Sequence, residues 1–280
     1  MDQRARRSLL YLPASNARAI EKAATLPADV VILDLEDSVA PDRKAEARSA
    51  AVAAANAGTL RPREVAIRVN GLATGEAALD LQAARESRAD VLVVPKIDTP
   101  EDAASAVASA GGKPVWVLIE TPGAVLSVDR IAAVPGITGL VAGFADLAKD
   151  LRLRPGPTRE PLFHAMSRIV LAARAAGILA FDGVHVDLDD PVGLEAEVRQ
   201  GLAFGFDGKT CIHPSQLAIV NHLFAPSSAE IEAARGLIAA HEAALSEGRG
   251  VATFRGRMVE ALHVAEARRL LSVAAALGVD

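Results

Sequence analysis

Apolar residues along this chain gather into short unbroken runs separated by longer mixed stretches. The runs are LLYLP (9–13), VVILDLED (30–37), VAIRVN (65–70), VLVVPK (91–96), VWVLIET (115–121), TGLVAGFADL (138–147), ILAFDGVHVD (178–187) and FDGKTCIHP (206–214). Between them lie stretches of helical character, among them 41–57, 75–88, 100–110, 158–176 and 191–204. Strands that are apolar throughout and alternate with helices predict a parallel sheet covered on both faces. Eight such units predict a closed α/β fold, the (β/α)8 TIM barrel. A doubly wound open sheet would show a glycine-rich phosphate loop after an early strand, and none is present. Two further helical stretches, 227–247 and 258–277, follow the eighth unit. The expected organisation is therefore a barrel catalytic domain over 1–225 and a helical C-terminal extension over 226–280.

Composition narrows the function. The 280 residues are 51% hydrophobic, enough for a substantial core, and carry a formal net charge of −5 with only 3% aromatics. Nucleic-acid binding calls for a basic face or aromatic stacking platforms, and neither is visible. The Arg4, Arg6, Arg7 cluster reads as a solvated, frayed terminus. The longest uncharged run, 131–145, contains a proline and glycines and is too short for a membrane span. One cysteine, Cys211, precludes an internal disulfide and fits a reducing compartment. No signal-peptide pattern is seen. The expectation is a soluble cytoplasmic protein with neither nucleic acid nor membrane as partner.

The chemistry of such a barrel sits at the carboxyl ends of its strands. Reading those ends gives Glu36 and Asp37, Arg68 and Asn70, Lys96, Glu120, Asp146, Asp182 with His185 and Asp187 beyond, and Lys209 with His213. Carboxylates outnumber cations, and an uncompensated carboxylate cluster is costly without a metal. All-oxygen ligation suits Mg2+, with Mn2+ as the alternative, held by Glu120 and Asp146. Zinc is disfavoured for want of a His/Cys pair at ligand spacing. Arg68 can grip a substrate carboxylate, or pair with Glu36 or Asp37, and the two readings are compatible. Lys96 and Lys209 read equally as neutralising partners or catalysts. His185 and His213 read as structural, and Cys211 as packing.

In the order RSLLYLPASN, ILDLEDSVAPDRKAEAR, IRVNG, VPKI, LIETPGA, GFADLAKDL, GFDGKTCIHPSQLAIVN and FRGRMVEALHVAEARRLL, these segments span nearly the whole chain. In them the sequence resembles the citrate lyase β-subunit-like and malyl-CoA lyase family, relatives of the metal-dependent pyruvate aldolases. The resemblance implies a (β/α)8 barrel assembled as a homotrimer or hexamer. It also implies a Mg2+-dependent cleavage of a carbon–carbon bond between a 2-oxo acid and the α-carbon of a CoA thioester. By the same resemblance Glu120 and Asp146 match metal ligands, Glu36 and Asp37 match acids that support the metal through water, and Arg68 matches the arginine on the oxo-acid fragment. Backbone N–H groups near Gly143 to Leu147 would hold the substrate carboxylate, alongside Asp146. Glu260 stands where catalytic members carry an aspartate, delivered to a neighbouring subunit's site by the C-terminal extension.

Three departures bear on the substrate. Glu260 adds a methylene to the expected proton donor, and a displacement of about an ångström can cost ~100-fold in rate. Ala14 replaces a usual glycine. Ala145 stands where a second acid is expected, and Arg152 where glycine is common. The expected activity is a Mg2+-dependent lyase on a short 3-hydroxy dicarboxylyl-CoA of malyl-CoA or citramalyl-CoA type. The alternatives are a thioesterase on the same esters, a pyruvate-type aldolase without CoA, and a citrate-lyase-like subunit that needs a carrier-protein partner.

Overall fold

The computed structural model describes residues 4–61, 63–154, 156 and 158–279. Strand and helix alternate as expected: β1 Ser8–Pro13, α1 Ala17–Ala23, β2 Val30–Asp34, α2 Lys44–Ala57, β3 Glu64–Arg68, α3 Ala77–Glu86, β4 Val91–Val94 and α4 Pro100–Ser109. They continue with β5 Val115–Ile119, α5 Pro122–Ala132, β6 Ile137–Ala142, α6 Phe144–Asp150, α7 Phe163–Ala176, β7 Leu179–Asp182, α8 Pro191–Phe204, β8 Gly208–Cys211 and α9 Leu217–Phe224. The eight strands form a closed parallel barrel, β1 through β8 in order, sealed where Leu9 pairs with Thr210. The (β/α)8 expectation holds.

The period of two along each strand sorts the core. Leu9, Val30, Ile32, Ala66, Val91, Val93, Trp116, Leu118, Val141 and Phe181 form one buried cluster, with Tyr11 and Leu179 packed against it. The Trp116 and Phe181 rings lie 4.7 Å apart, tilted by 51°. Trp116 is opposite Gly139 on β6, and a Cβ there would come within 2.6 Å of the indole. A glycine is what admits so large a side chain among the others that fill the lumen.

Helix starts follow the local chemistry. Thr99 and Thr121 cap α4 and α5 through their hydroxyls, each with proline at the first helical position. α2 buries Ala47, Ala51 and Ala55, a small-residue face at helical spacing.

Several expected runs overshoot the strands. β6 ends at Ala142, so Asp146 sits in the first turn of α6 rather than on a strand. Arg6 and Arg7 are not a frayed terminus. Arg6 pairs with Glu64, and Arg7 grips Asp29 at 2.8 and 2.9 Å.

Residues Arg6–Asn221 form one compact unit, and those from His222 onward belong to another. The second unit contains α10 Ser228–Ser246, a hairpin of β9 Ala252–Phe254 and β10 Arg257–Val259, and α11 Ala261–Leu277. The hairpin corrects the expected helix over 258–277: Met258 and Val259 are strand, and the helix begins after Glu260. Arg255 and Gly256 both have positive φ, 48° and 77°, the two-residue turn that matches strand twist. Ala244, Ala252, Val259 and Val264 make this unit's own apolar cluster. Among the described residues no helix is long and apolar enough to cross a membrane.

Candidate active site

At the carboxyl ends of β2, β3 and β5, the alternation that fills the lumen continues into charged residues. Ile32 is followed two residues on by Asp34, Ala66 by Arg68, and Leu118 by Glu120. Arg68 is clamped by Asp34, its Nε donating to Oδ1 and its Nη2 to Oδ2, each at 2.6 Å. Its Nη1 lies 2.9 Å from Glu36 Oε2, and its guanidinium lies 4.8 Å over the Tyr11 ring. Asp34 thus takes two of the five guanidinium N–H groups, and the approach of Nη1 to Glu36 is a charge contact without hydrogen-bond geometry. Burial alone would raise the Asp34 carboxyl, but hydrogen bonding and charge from Arg68 hold it below the usual carboxylate range. Burial opposes the charge on Arg68 as well, and Asp34 more than offsets it. The result is a fixed, permanently charged clamp.

Glu120 is buried, and its Oε1 accepts the Lys96 N–H at 2.7 Å. Burial first, then the charge of Glu36 and that of Asp146, push its carboxyl up to about 7. Glu36 is also buried and raised by desolvation, although Arg68 and Lys96 stand beside it. Lys96 Nζ lies 2.8 Å from Glu36 Oε1, yet among the described residues neither Glu36 oxygen has a partner in hydrogen-bond geometry. Gly143 is what lets α6 approach: a Cβ there would sit 2.3 Å from the Glu120 Cβ and 2.9 Å from its Oε2.

The donor set fits a hard divalent cation. Glu120 and Asp146 repel each other in the bare protein, and all the ligating atoms are oxygens. Among the described residues no group of three or more His, Cys, Asp or Glu could hold a metal on its own. Mg2+ keeps several waters and takes one or two carboxylates plus substrate oxygens, so a pair of carboxylates is enough for it. Glu120 and Asp146 would hold it.

The structure divides the residues singled out from sequence. Arg68, Glu36, Lys96 and Glu120 converge, with Asp146 close enough for its charge to act on Glu120. Asp37 stands at the rim, 60% exposed and 4.0 Å from both Arg68 and Lys96. The Gly143 and Leu147 N–H groups are engaged within the backbone, Gly143 donating to Ile119 O and Leu147 to Gly143 O. Gly143 matters for space instead. Asn70 braces the loops, its Nδ2 bonding Leu35 O and Asp80. Glu260 lies in the other unit at the start of α11, its N–H donating to Nδ1 of His263 at 3.1 Å.

A second polar cluster is separate. Asp182 and Lys209 are fully buried and 3.1 Å apart, and Lys209 also reaches Glu197 of α8 at 2.9 Å. Arg159 chelates Asp182 at 2.9 and 3.0 Å and donates to Gln200 and Glu197 O. His185 Nδ1 lies 3.2 Å from Glu197. This network ties β7 and β8 to α8, so Lys209 is a neutralising partner. His213 accepts from Ser215 N–H and caps a short turn. Cys211 is buried, its thiol pushed up to about 12 by desolvation, which suits packing.

Three contributors were not singled out from sequence. Asp34 was readable from the period of two, and Tyr11 from the same parity on β1. Lys44, whose Nζ donates to Leu35 O, Glu36 O and Asn70 Oδ1, each at 2.8 Å, had no such signal.

A parallel eight-stranded barrel with an Arg-anchored carboxylate cluster at its mouth defines the class, and the sequence comparison names it. The chain belongs to the HpcH/HpaI aldolase/citrate lyase family, whose model matches residues 7–214. It is 44% identical over 271 residues to a (3S)-malyl-CoA thioesterase of Cereibacter sphaeroides, covering 97% of this chain and 95% of the relative. It is 35% identical to an L-malyl-CoA/beta-methylmalyl-CoA lyase of the same species, covering 94% and 93%. Among solved structures, the CitE protein of Mycobacterium tuberculosis in complex with magnesium, acetoacetate and coenzyme A matches with a TM-score of 0.83 and 34% identity. That match covers 98% of this chain and 99% of CitE.

Proposed function

We propose that this chain is a Mg2+-dependent enzyme acting on a malyl-type 3-hydroxy dicarboxylyl-CoA, and that its net reaction is hydrolysis of the thioester. The observation that carries the substrate class is the Arg68 clamp beside the Glu120–Asp146 pair. Asp34 holds the guanidinium rigid, so its remaining N–H groups are preorganised for a substrate carboxylate. A bound Mg2+ would supply Lewis-acid polarisation of an acyl-group oxygen. Glu120 and Asp146 would hold that cation, and Asp37 at the rim faces solvent.

The hydrolytic outcome is supported by 44% identity to a thioesterase over nearly the full chain. Glu260 points the same way. Carbon–carbon cleavage needs a proton delivered to the departing α-carbon, and the family resemblance puts a longer side chain at the donor's position. Thioester hydrolysis adds water across the C–S bond and releases the CoA thiol without that delivery. The lyase reading stays second, supported by the same clamp and by the malyl-CoA lyase relative. Either reaction keeps the expectation of a cytoplasmic homotrimer.

The test is chromatography of CoA species after incubating the purified protein with malyl-CoA, with Mg2+ or with EDTA. Metal-dependent free CoA without acetyl-CoA is the expected result. Acetyl-CoA with a 2-oxo acid would establish the lyase instead. An intact ester in Mg2+ would sink both.

A further inference from the structure

Lys96 stands out in the barrel for its backbone. Its φ is +56°, and among the described residues only Arg152 and Arg255 share a positive φ without being glycine. That conformation costs an L-residue energy and persists only where the surroundings demand it. Here the demand is visible. The left-handed turn after Pro95 directs the Lys96 N–H at Glu120 Oε1, 2.7 Å away. From the same residue the side chain returns to the other buried carboxylate, placing Nζ 2.8 Å from Glu36 Oε1. The ammonium is not sealed in: the side chain is 52% exposed, and Asp37 is 4.0 Å away. One residue thus touches two buried carboxylates through two different atoms.

Glu36 and Glu120 must not be equivalent if the mouth is to work. Three carboxylates on one cation would displace the waters and substrate oxygens that Mg2+ chemistry needs. Arg68 engages Oε2 of Glu36 at 2.9 Å and Lys96 engages Oε1, so both oxygens face a cation. Glu120, by contrast, carries among the described residues a single backbone hydrogen bond, on one oxygen.

We propose that Lys96 is a positioning residue with two separable tasks: its left-handed backbone turns an N–H onto Glu120, and its ammonium occupies Glu36 and keeps that carboxylate out of the cation's coordination. The inference rests on Glu120 and Asp146 being the Mg2+ ligands.

Lys96→Gly keeps the left-handed backbone and the N–H but removes the ammonium. Lys96→Met removes the ammonium and keeps bulk, and Lys96→Arg keeps the charge. Calorimetric titration of each variant with Mg2+, alone, should show tighter binding in Gly and Met by on the order of tenfold, because a positive charge leaves and Glu36 gains access. Water relaxation with Mn2+ should report fewer metal-bound waters in those two. With malyl-CoA, kcat should fall by on the order of tenfold or more while KM moves less. Arg should restore wild-type metal affinity and much of kcat. A merely structural Lys96 would lower the melting temperature without tightening Mg2+. Unchanged or weaker Mg2+ binding in both Gly and Met, with the wild type binding normally, overturns the inference. A wild type that binds no Mg2+ overturns the metal reading, and this inference with it.

Discussion

Substituting Gly143 by alanine tests the site at its tightest point. The added Cβ would lie 2.3 Å from the Glu120 Cβ and 3.3 Å from its Cα. Carbon atoms in contact prefer about 3.5–4 Å, so one of the two segments has to yield by roughly 1 Å. A rotamer change in Glu120 cannot relieve the clash, since the closest atom is the Cβ rather than the flexible end. Gly143 itself has φ −101°, outside the left-handed region that demands glycine, so the clash is the main effect of alanine. Overpacking of this kind costs ~1–3 kcal/mol, a melting-temperature loss of a few degrees, and the barrel should still fold. A shift of about 1 Å in a catalytic carboxylate costs ~100-fold, so kcat/KM should fall by about that factor. Mg2+ affinity should weaken alongside it. Thiol release from malyl-CoA reads the first, and calorimetry the second. Gly123→Ala is the control, because its Cβ would meet nothing closer than 3.8 Å. A folded Gly143→Ala protein with Mg2+ affinity and kcat/KM within twofold of wild type would refute the steric argument.

Two further expectations follow from the carboxylates. Asp34→Ala leaves Arg68 buried without its main counter-charge; removing one partner of a buried pair costs ~3–5 kcal/mol, and a urea-denaturation change under about 1 kcal/mol would contradict it. Glu120 has its native carboxyl raised from 4.5 to about 7, so the metal-free native state holds a proton that the unfolded chain has lost between those values. Its contribution is therefore present below pH ~4.5 and is lost as pH rises toward 7, by about 3 kcal/mol at most. Mg2+ competes for the ionised form, so its apparent affinity should fall up to ~10-fold per pH unit below 7 and level off above. A Mg2+-induced melting shift that stays constant from pH 5 to 8 would exclude Glu120 as the ligand.

Much of this protein was legible in the chain itself. Apolar strands alternating with helices determined the barrel, because a strand buried on both faces has no place for polar residues until it emerges at the end. That emergence also marked Glu36, Arg68, Lys96 and Glu120. The same rule carried one step further identifies Asp34, two residues beyond Ile32 and on the lumen side. It also separates Asp182, which follows the inward Phe181 and so turns outward to Lys209 and α8. Strand-end position alone merged these two clusters; parity sets Asp34, Arg68 and Glu120 apart from Asp182 and Lys209.

What only the tertiary structure decided was the division of labour among like charges. No local pattern states that Lys44 would close the β2–α2 loop, that Arg159 would reach Asp182 from the segment before α7, or that Gly143 would make room for Glu120. Each depends on which side chains meet across elements far apart in sequence, and pairing of that kind is set by packing rather than by local spacing. The hairpin before Glu260 shows the same limit on a smaller scale. Three-residue strands carry too little periodicity to announce themselves, and it is their pairing with each other and the packing of Phe254 against Gly236 on α10 that hold them. Sequence thus determined where the charges stand, and the fold decided which of them remain available to a substrate.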